Sequence, residues 1–325
     1  MSSKLPAGLH SFLEAAGWGG ADVEPLAGDA SFRRYFRVRN GPRSAMLMDA
    51  PPPHEDTGPF LDVGQWLAAH GHRAPAIHAE DRARGLVLLE DFGADRMRDW
   101  LDENPQSEEA TYARAIDALV RLHKSPPGPF APYDMEVYQR EAGLFTEWYC
   151  PALGLDVDEA GYKAAWDAVL SPMLPRQQPG VTVLRDYHAE NIMLLPDGAQ
   201  GLIDFQDALV GHPAYDLVSL LQDARRDVSP ELERAMLDRY LRQAEAGEHF
   251  EADYARLGAQ RNAKIVGIFA RLWKRDDKPR YLAMIPRVWE AMERDLRHPA
   301  LTPVAAWFSA NIPRELRDTF GGELM

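Results

Sequence analysis

The stretch Leu184-Arg-Asp-Tyr-His-Ala-Glu-Asn191, followed by Gly201-Leu-Ile-Asp-Phe-Gln206, decides how this chain is read. It sets Asp186, Asn191 and Asp204 in the order Asp-x4-Asn-x12-Asp. Val181-Thr-Val-Leu184 and Ile192-Met-Leu-Leu195 have the length and composition of short strands on either side of a polar loop. Pro196-Asp-Gly-Ala is a turn, and Gly201-Leu-Ile203 is a third strand returning to the same side. A chain that leaves and returns in this way can bring two carboxylates and an amide together. Such a set suits phosphoryl transfer: one carboxylate orients and deprotonates a hydroxyl, while an amide and a second carboxylate hold Mg2+ on ATP. Asp and Asn also shape ordinary turns, so neither residue carries the reading alone. Strands, spacing and the second aspartate together favour catalysis.

Composition narrows the field. The 325 residues are enough for two packed lobes, and 46% hydrophobic with 26% charged residues is ordinary for a globular protein. A net charge of −14 argues against nucleic acid and against an anionic membrane surface, both of which call for a basic footprint. Acidity would suit a cationic substrate, although a solvated acidic surface gives the same number. The single cysteine, Cys150, allows neither an internal disulfide nor a cysteine-ligated zinc site. The N-terminal residues lack the apolar core of a signal peptide, and no apolar run is long enough to span a bilayer. The expectation is a soluble cytoplasmic protein with no obligate protein partner. His70, His72 and His78 lack carboxylates at ligand spacing and read as surface or packing residues.

The motif resembles the aminoglycoside phosphotransferase-like branch of the protein-kinase-like fold. Leu119-Val-Arg-Leu-His123 looks like the end of the helix before that family's catalytic segment. Gly211-His-Pro-Ala-Tyr-Asp-Leu217 looks like its Gly-x-Pro-x-x-Asp-Leu segment, whose aspartate anchors the catalytic loop, which implies a supporting role for Asp216. Two departures stand out. The family's His-Gly-Asp reads Leu184-Arg185-Asp186, and its nucleotide-gripping lysine has no counterpart. No lysine occurs between Lys4 and Lys124, and Met48 stands about where that lysine is expected. At a finer level, Gly28-Asp-Ala-Ser-Phe-Arg-Arg-Tyr-Phe-Arg37, Leu47-Met-Asp-Ala-Pro-Pro52 and Asp204-Phe-Gln-Asp207 resemble a bacterial subgroup of cell-wall-recycling sugar kinases. These phosphorylate the anomeric hydroxyl of N-acetylmuramate and N-acetylglucosamine. The resemblance implies an α+β fold with a small β-rich N-lobe over residues 1–93 and a larger, mostly helical C-lobe over residues 94–325.

The rest of the chain agrees with that order. An amphipathic helix is expected over 8–18, strands over 23–49 with a hairpin at Asn40-Gly41, a helix over 59–70, and strands over 76–79 and 86–89. Glu90-Asp-Phe-Gly93 contains Asp-Phe-Gly, but a metal-binding aspartate must follow the catalytic loop, and Asp91 precedes it. Leu88 to Gly93 fits instead the hinge that reads the adenine edge, so Glu90 and Phe92 join the ATP-binding candidates. Ser107 is expected to cap a helix carrying Glu108 and Glu109 in its first turn. Helices are expected through Tyr138 to Trp148, and over 214–225, 229–246, 253–274 and 280–295.

Roles follow. Asp186 is the expected base, and Asn191 with Asp204 the expected Mg2+ ligands. Gly28, Asp29, Ala30 and Ser31 form the expected phosphate-covering turn, though the segment alone reads equally as a hairpin turn. Without the lysine, Arg33 or Arg34 is expected to supply positive charge. They point to opposite sides of an alternating strand, and Arg33 shares its side with Tyr35. Tyr187, His188, Glu190 and Gln206 are the acceptor-binding candidates. Arg225, Arg226, Lys274 and Arg275 are alternative partners for an acceptor carboxylate. The acceptor is read as an amino sugar. An aminoglycoside or amino alcohol, or a non-catalytic nucleotide binder, remain the other readings.

Overall fold

Asn40-Gly41 turns the chain as its dipeptide predicts, Gly41 taking φ 58°. The computed structural model describes residues 5–26 and 33–322, so the turn Gly28–Ser31 lies outside the described residues. Five strands form one antiparallel sheet: β1 (Asp22–Pro25), β2 (Arg34–Asn40), β3 (Arg43–Asp49), β4 (Ile77–Asp81) and β5 (Leu86–Glu90), in the order β1-β2-β3-β5-β4. In β2 and β3, Tyr35 is opposite Met48 and Phe36 opposite Leu47. Alternation puts Phe36 and Val38, Ala45 and Leu47, and Leu86 and Leu88 on one face. Helix α1 (Leu9–Ala15) closes that face with Leu9, Phe12 and Leu13, one helical stripe, beside Trp18. Each fully buried large side chain contributes about 1.5–3 kcal/mol. Helix α2 (Gly58–Ala69) buries Phe60, Leu61, Val63 and Leu67.

The chain divides into two compact units: residues 1–100 with 191–207, and residues 101–190 with 208–325. The division therefore differs from a single cut at residue 93. The segment 191–207 returns to the first unit because its backbone is bonded there. Strands β7 (Ile192–Leu194) and β8 (Gln200–Leu202) pair antiparallel. Leu194 N–H donates to Asp95 O at 2.8 Å and Leu202 N–H to Arg73 O at 2.8 Å. Gly201 lies so close to the Phe92 ring that a Cβ there would sit 2.5 Å from it.

The second unit is mostly helical. It contains α3 (Met97–Glu103) in part, α4 (Glu108–Lys124), α5 (Met135–Leu144), a π-helical turn over Phe145–Tyr149 and α6 (Cys150–Ala152). It continues with α7 (Glu159–Leu170), α8 (Ala214–Leu221), α9 (Pro230–Ala244), α10 (Phe250–Asp276), α11 (Ile285–Leu296), α12 (Thr302–Asn311) and α13 (Arg314–Asp318). Helix α10 runs through the packing: a Cβ on Gly267 would lie 2.3 Å from the Leu144 carbonyl, so glycine permits backbone-to-backbone approach. Strand β6 (Val181–Val183) pairs with β9 (Leu209–Gly211), not with β7. Thus the two strands beside the motif loop belong to different sheets.

Several sequence expectations change. Ser107 precedes α4 but makes no capping bond, because a 3₁₀ turn over Pro105–Ser107 leads in. The helix expected over 280–295 is a 3₁₀ turn, Pro279–Met284, followed by α11. Helix α7, capped by Asp158 on Gly161 N–H at 2.8 Å, and the short β9 were not foreseen. Among the described residues no helix is long and apolar enough to cross a membrane.

Candidate active site

The loop carrying Asp186 is held by its own second unit. Asp216, fully buried on α8, accepts from Leu184 N–H at 2.6 Å and Arg185 N–H at 2.8 Å, the anchoring role its motif implied. Burial and the neighbouring Asp186 charge push Asp216 up to about 7, against the two N–H donors. Arg185 takes φ 71°, a left-handed conformation in which glycine is the usual residue. Asp223 accepts from Ala189 N–H at 3.1 Å and Arg225 N–H at 2.8 Å, tying the far side of the loop. Burial alone would raise Asp186, but the charges of His188, Lys264, Arg261 and Arg185 outweigh it and hold its carboxyl below the usual range. Burial also keeps His188 below its ordinary value, so at neutral pH the other three cations carry that effect. Asp186 is therefore a partly buried carboxylate kept ionised and able to accept a proton.

The other two motif residues lie in the first unit. Asn191 Nδ2 and Asp204 Oδ2 are 3.5 Å apart, and Ile203 N–H donates to Asn191 O at 3.1 Å. Asp204 is exposed and takes φ 59°; its Oδ1 accepts from Gln206 Nε2 at 3.0 Å. The next residue supplies the anchor. Phe205 is buried and stacks on Phe60 of α2 with ring centroids 4.9 Å apart, and Gly64 leaves room for its ring edge. A hard-oxygen carboxylate beside an amide fits Mg2+, which takes few protein ligands and completes its shell with phosphate and water. Among the described residues no group of three or more His, Cys, Asp or Glu could hold a metal by itself.

The arginines beside the lysine-free strand separate as alternation requires. Arg33 Nε donates to Glu55 Oε2 at 3.1 Å, whereas Arg34 pairs with Asp49 and lies over the Phe36 ring. Tyr35 sits between, its hydroxyl 3.6 Å from Met48 Sδ. Burial, then the Asp204 charge, push that phenol up to about 12, with Arg33 opposing. Arg33, Tyr35, Glu55 and Asp204 thus share one electrostatic neighbourhood in the first unit. Glu90 is paired with Arg73, which holds it below the usual carboxylate range, and Arg73 also lies over the Phe92 ring at 4.8 Å. Asp91 accepts from Arg37 at 2.8 Å and from Ser44, the contacts of a strand-end staple.

The acceptor candidates divide. Tyr187 is buried and its hydroxyl donates to Ala115 O at 2.8 Å, which ties the loop to α4. His188 is buried against Arg225 (3.2 Å), which also pairs with Glu190 at 2.8 Å. These residues brace the loop. Arg226 pairs with Asp102 and Glu108, Lys274 lies over Trp273 and Arg275 pairs with Asp276. Sequence reasoning missed Glu141, Arg261 and Lys264. The available signal was a run of polar residues, Gln260, Arg261, Asn262 and Lys264, inside the otherwise apolar stripe of α10.

An antiparallel sheet with two helices, a mostly helical second unit and this loop define a protein-kinase-like small-molecule phosphotransferase. The chain belongs to the phosphotransferase enzyme family, which it matches over residues 22–259. It is 38% identical to an N-acetylmuramate/N-acetylglucosamine kinase of Caulobacter vibrioides over 98% of this chain and 99% of that one. It is 39% identical to the protein of the same name from Pseudomonas aeruginosa over 88% of each. Its fold is similar to that of an ADP-bound aminoglycoside phosphotransferase, with a TM-score of 0.62 and 14% identity, covering 89% of this chain and 97% of that one. ATP as phosphoryl donor goes with membership in this family.

Proposed function

We propose that this protein transfers the γ-phosphoryl group of ATP to the anomeric hydroxyl of an N-acetylated amino sugar, N-acetylmuramate or N-acetylglucosamine, in cell-wall recycling. The observation carrying this reading is the 38% identity over nearly the whole chain to a kinase named for those two sugars, with Asp186, Asn191 and Asp204 all present. Asp186 orients the sugar hydroxyl and takes its proton as the oxygen bonds to phosphorus and the bond to the ADP oxygen breaks. Asn191 and Asp204 would hold Mg2+, which neutralises charge on the phosphates when bound. Arg33 is the cation proposed for the phosphates in place of the missing lysine. The turn Gly28–Ser31 is proposed to cover them, with the backbone at Glu90 and Phe92 reading the adenine edge. Gln206, whose amide already touches Asp204, remains the acceptor-side candidate.

The test is a panel of amino sugars, aminoglycosides and amino alcohols with ATP and Mg2+, read by ADP release. Phosphorus NMR of the amino-sugar product should show coupling to H1, and the product should no longer reduce. A 6-phosphate, or turnover of an aminoglycoside alone, would replace the sugar 1-kinase reading. No turnover of any acceptor would favour a nucleotide binder.

A further inference from the structure

The structure gives Arg185 an unusual position: a bulky residue at φ 71°, immediately before the proposed base. For a non-glycine residue that conformation is strained and persists only where its surroundings hold it. Its surroundings do. The guanidinium pairs with Glu141 of α5, a carboxylate only 5% exposed. The same Glu141 takes Lys264 Nζ of α10 at 2.9 Å and accepts from the Tyr133 hydroxyl. Lys264 Nζ also reaches the Tyr215 hydroxyl at 3.1 Å. One buried carboxylate thus joins the catalytic loop to two helices. The titratable and charged groups that act on Asp186 include Arg185 and His188 on its own loop, Lys264 and Arg261 on α10 and Asp216 on α8.

We infer that Glu141 is a positioning residue for phosphoryl transfer: by gripping Arg185 and Lys264 together it fixes the left-handed turn that presents Asp186. The inference rests on Asp186 being the base. A buried carboxylate this well paired is expensive to leave half-satisfied, so the three side chains act as a unit. Replacing Arg185 by glycine removes the guanidinium without straining the turn, because glycine adopts φ 71° freely.

The experiment compares Glu141→Gln, Arg185→Gly and Lys264→Met with Asp186→Asn in steady-state kinetics from low to neutral pH, alongside melting temperatures. Arg185→Gly should lower kcat by about tenfold or more while KM for ATP stays near wild type, with a lower melting temperature because Glu141 loses one of its partners. Glu141→Gln should do the same with some loss of stability. Lys264→Met should raise the acid limb of kcat/KM for the acceptor by roughly half a pH unit, because a cation that favours the carboxylate is gone. Glu141→Gln removes a negative charge and should leave that limb in place or lower it. Opposite signs are not produced by general loosening. If Glu141→Gln fails to fold, Arg185→Gly carries the test. Normal kcat and unmoved profiles in all variants, with Asp186→Asn inactive, would overturn the clamp. An active Asp186→Asn would instead remove the base assignment on which it rests.

Discussion

Asp186 and Asp204 are only 18 residues apart along the chain, yet they are supported in opposite ways. Asp186 sits in a loop whose amides and side chains are met by Asp216, Asp223, Arg225 and Glu141. Asp204 is exposed, its carboxylate near two amides, and its firm anchor is its neighbour Phe205 under α2. The difference follows from the tasks proposed for them. A base must already be placed when the hydroxyl arrives, since misplacement is costly in rate. A metal ligand gains its partner from the nucleotide complex, and an open oxygen is what a hard cation requires.

The sharpest way to break this contrast is to remove each carboxylate. Asp186→Asn should retain folding and nucleotide binding while turnover falls by about 10²–10⁴. Near-normal turnover would strip the loop of its proposed role. Asp204→Ala should leave the fold intact but reduce nucleotide affinity with Mg2+ to the value measured without it; calorimetric titration in both conditions decides. Survival of the Mg2+ effect would move the metal site elsewhere.

Phe205→Ala tests the anchor. Emptying a buried stacked site should destabilise the protein by about 3–5 kcal/mol in chemical denaturation. A loss under about 1 kcal/mol would mean that Asp204 is placed by the β7–β8 hairpin alone. The arginine pair gives a smaller effect. Arg33→Ala should raise KM for ATP by roughly tenfold, about 1.4 kcal/mol, and Arg34→Ala should be nearly silent because it serves Asp49. Equal effects would remove the sidedness argument.

A pH-dependent effect concerns Asp216. Its folded value, about 7, lies above the ordinary carboxylate value, so the folded state binds the extra proton in between. Its contribution to stability is complete at acid pH and is lost as pH rises from about 4 through 7. Melting temperatures across that window should fall with pH in the wild type, and Asp216→Asn should flatten the slope. An unchanged slope would assign the dependence to another buried acid, such as Asp295.

Asp186, Asn191 and Asp204 were legible because hydrophobic runs bracket them at short range, and the hairpin at Asn40-Gly41 was legible because its turn needs those residue types. The absence of lysine pointed to Arg33 by strand alternation alone. The burial of Tyr187 and His188 was not legible for a related reason: a motif reveals which residues share a loop but not which way each side chain turns. That Tyr187 bonds Ala115, 72 residues earlier, is a fact of packing.

By itself, then, the amino-acid order determined most of the elements, the family and the loop proposed to carry the chemistry. Those rest on local periodicity and on spacing within a few dozen residues. Only the tertiary structure decided that β7 and β8 return to the first unit, that Glu55 holds Arg33, and that Glu141 joins Arg185 to Lys264. A buried ion pair has no local sequence signature. Its partners come from distant segments, and it forms because a charge withdrawn from water must find an opposite one nearby.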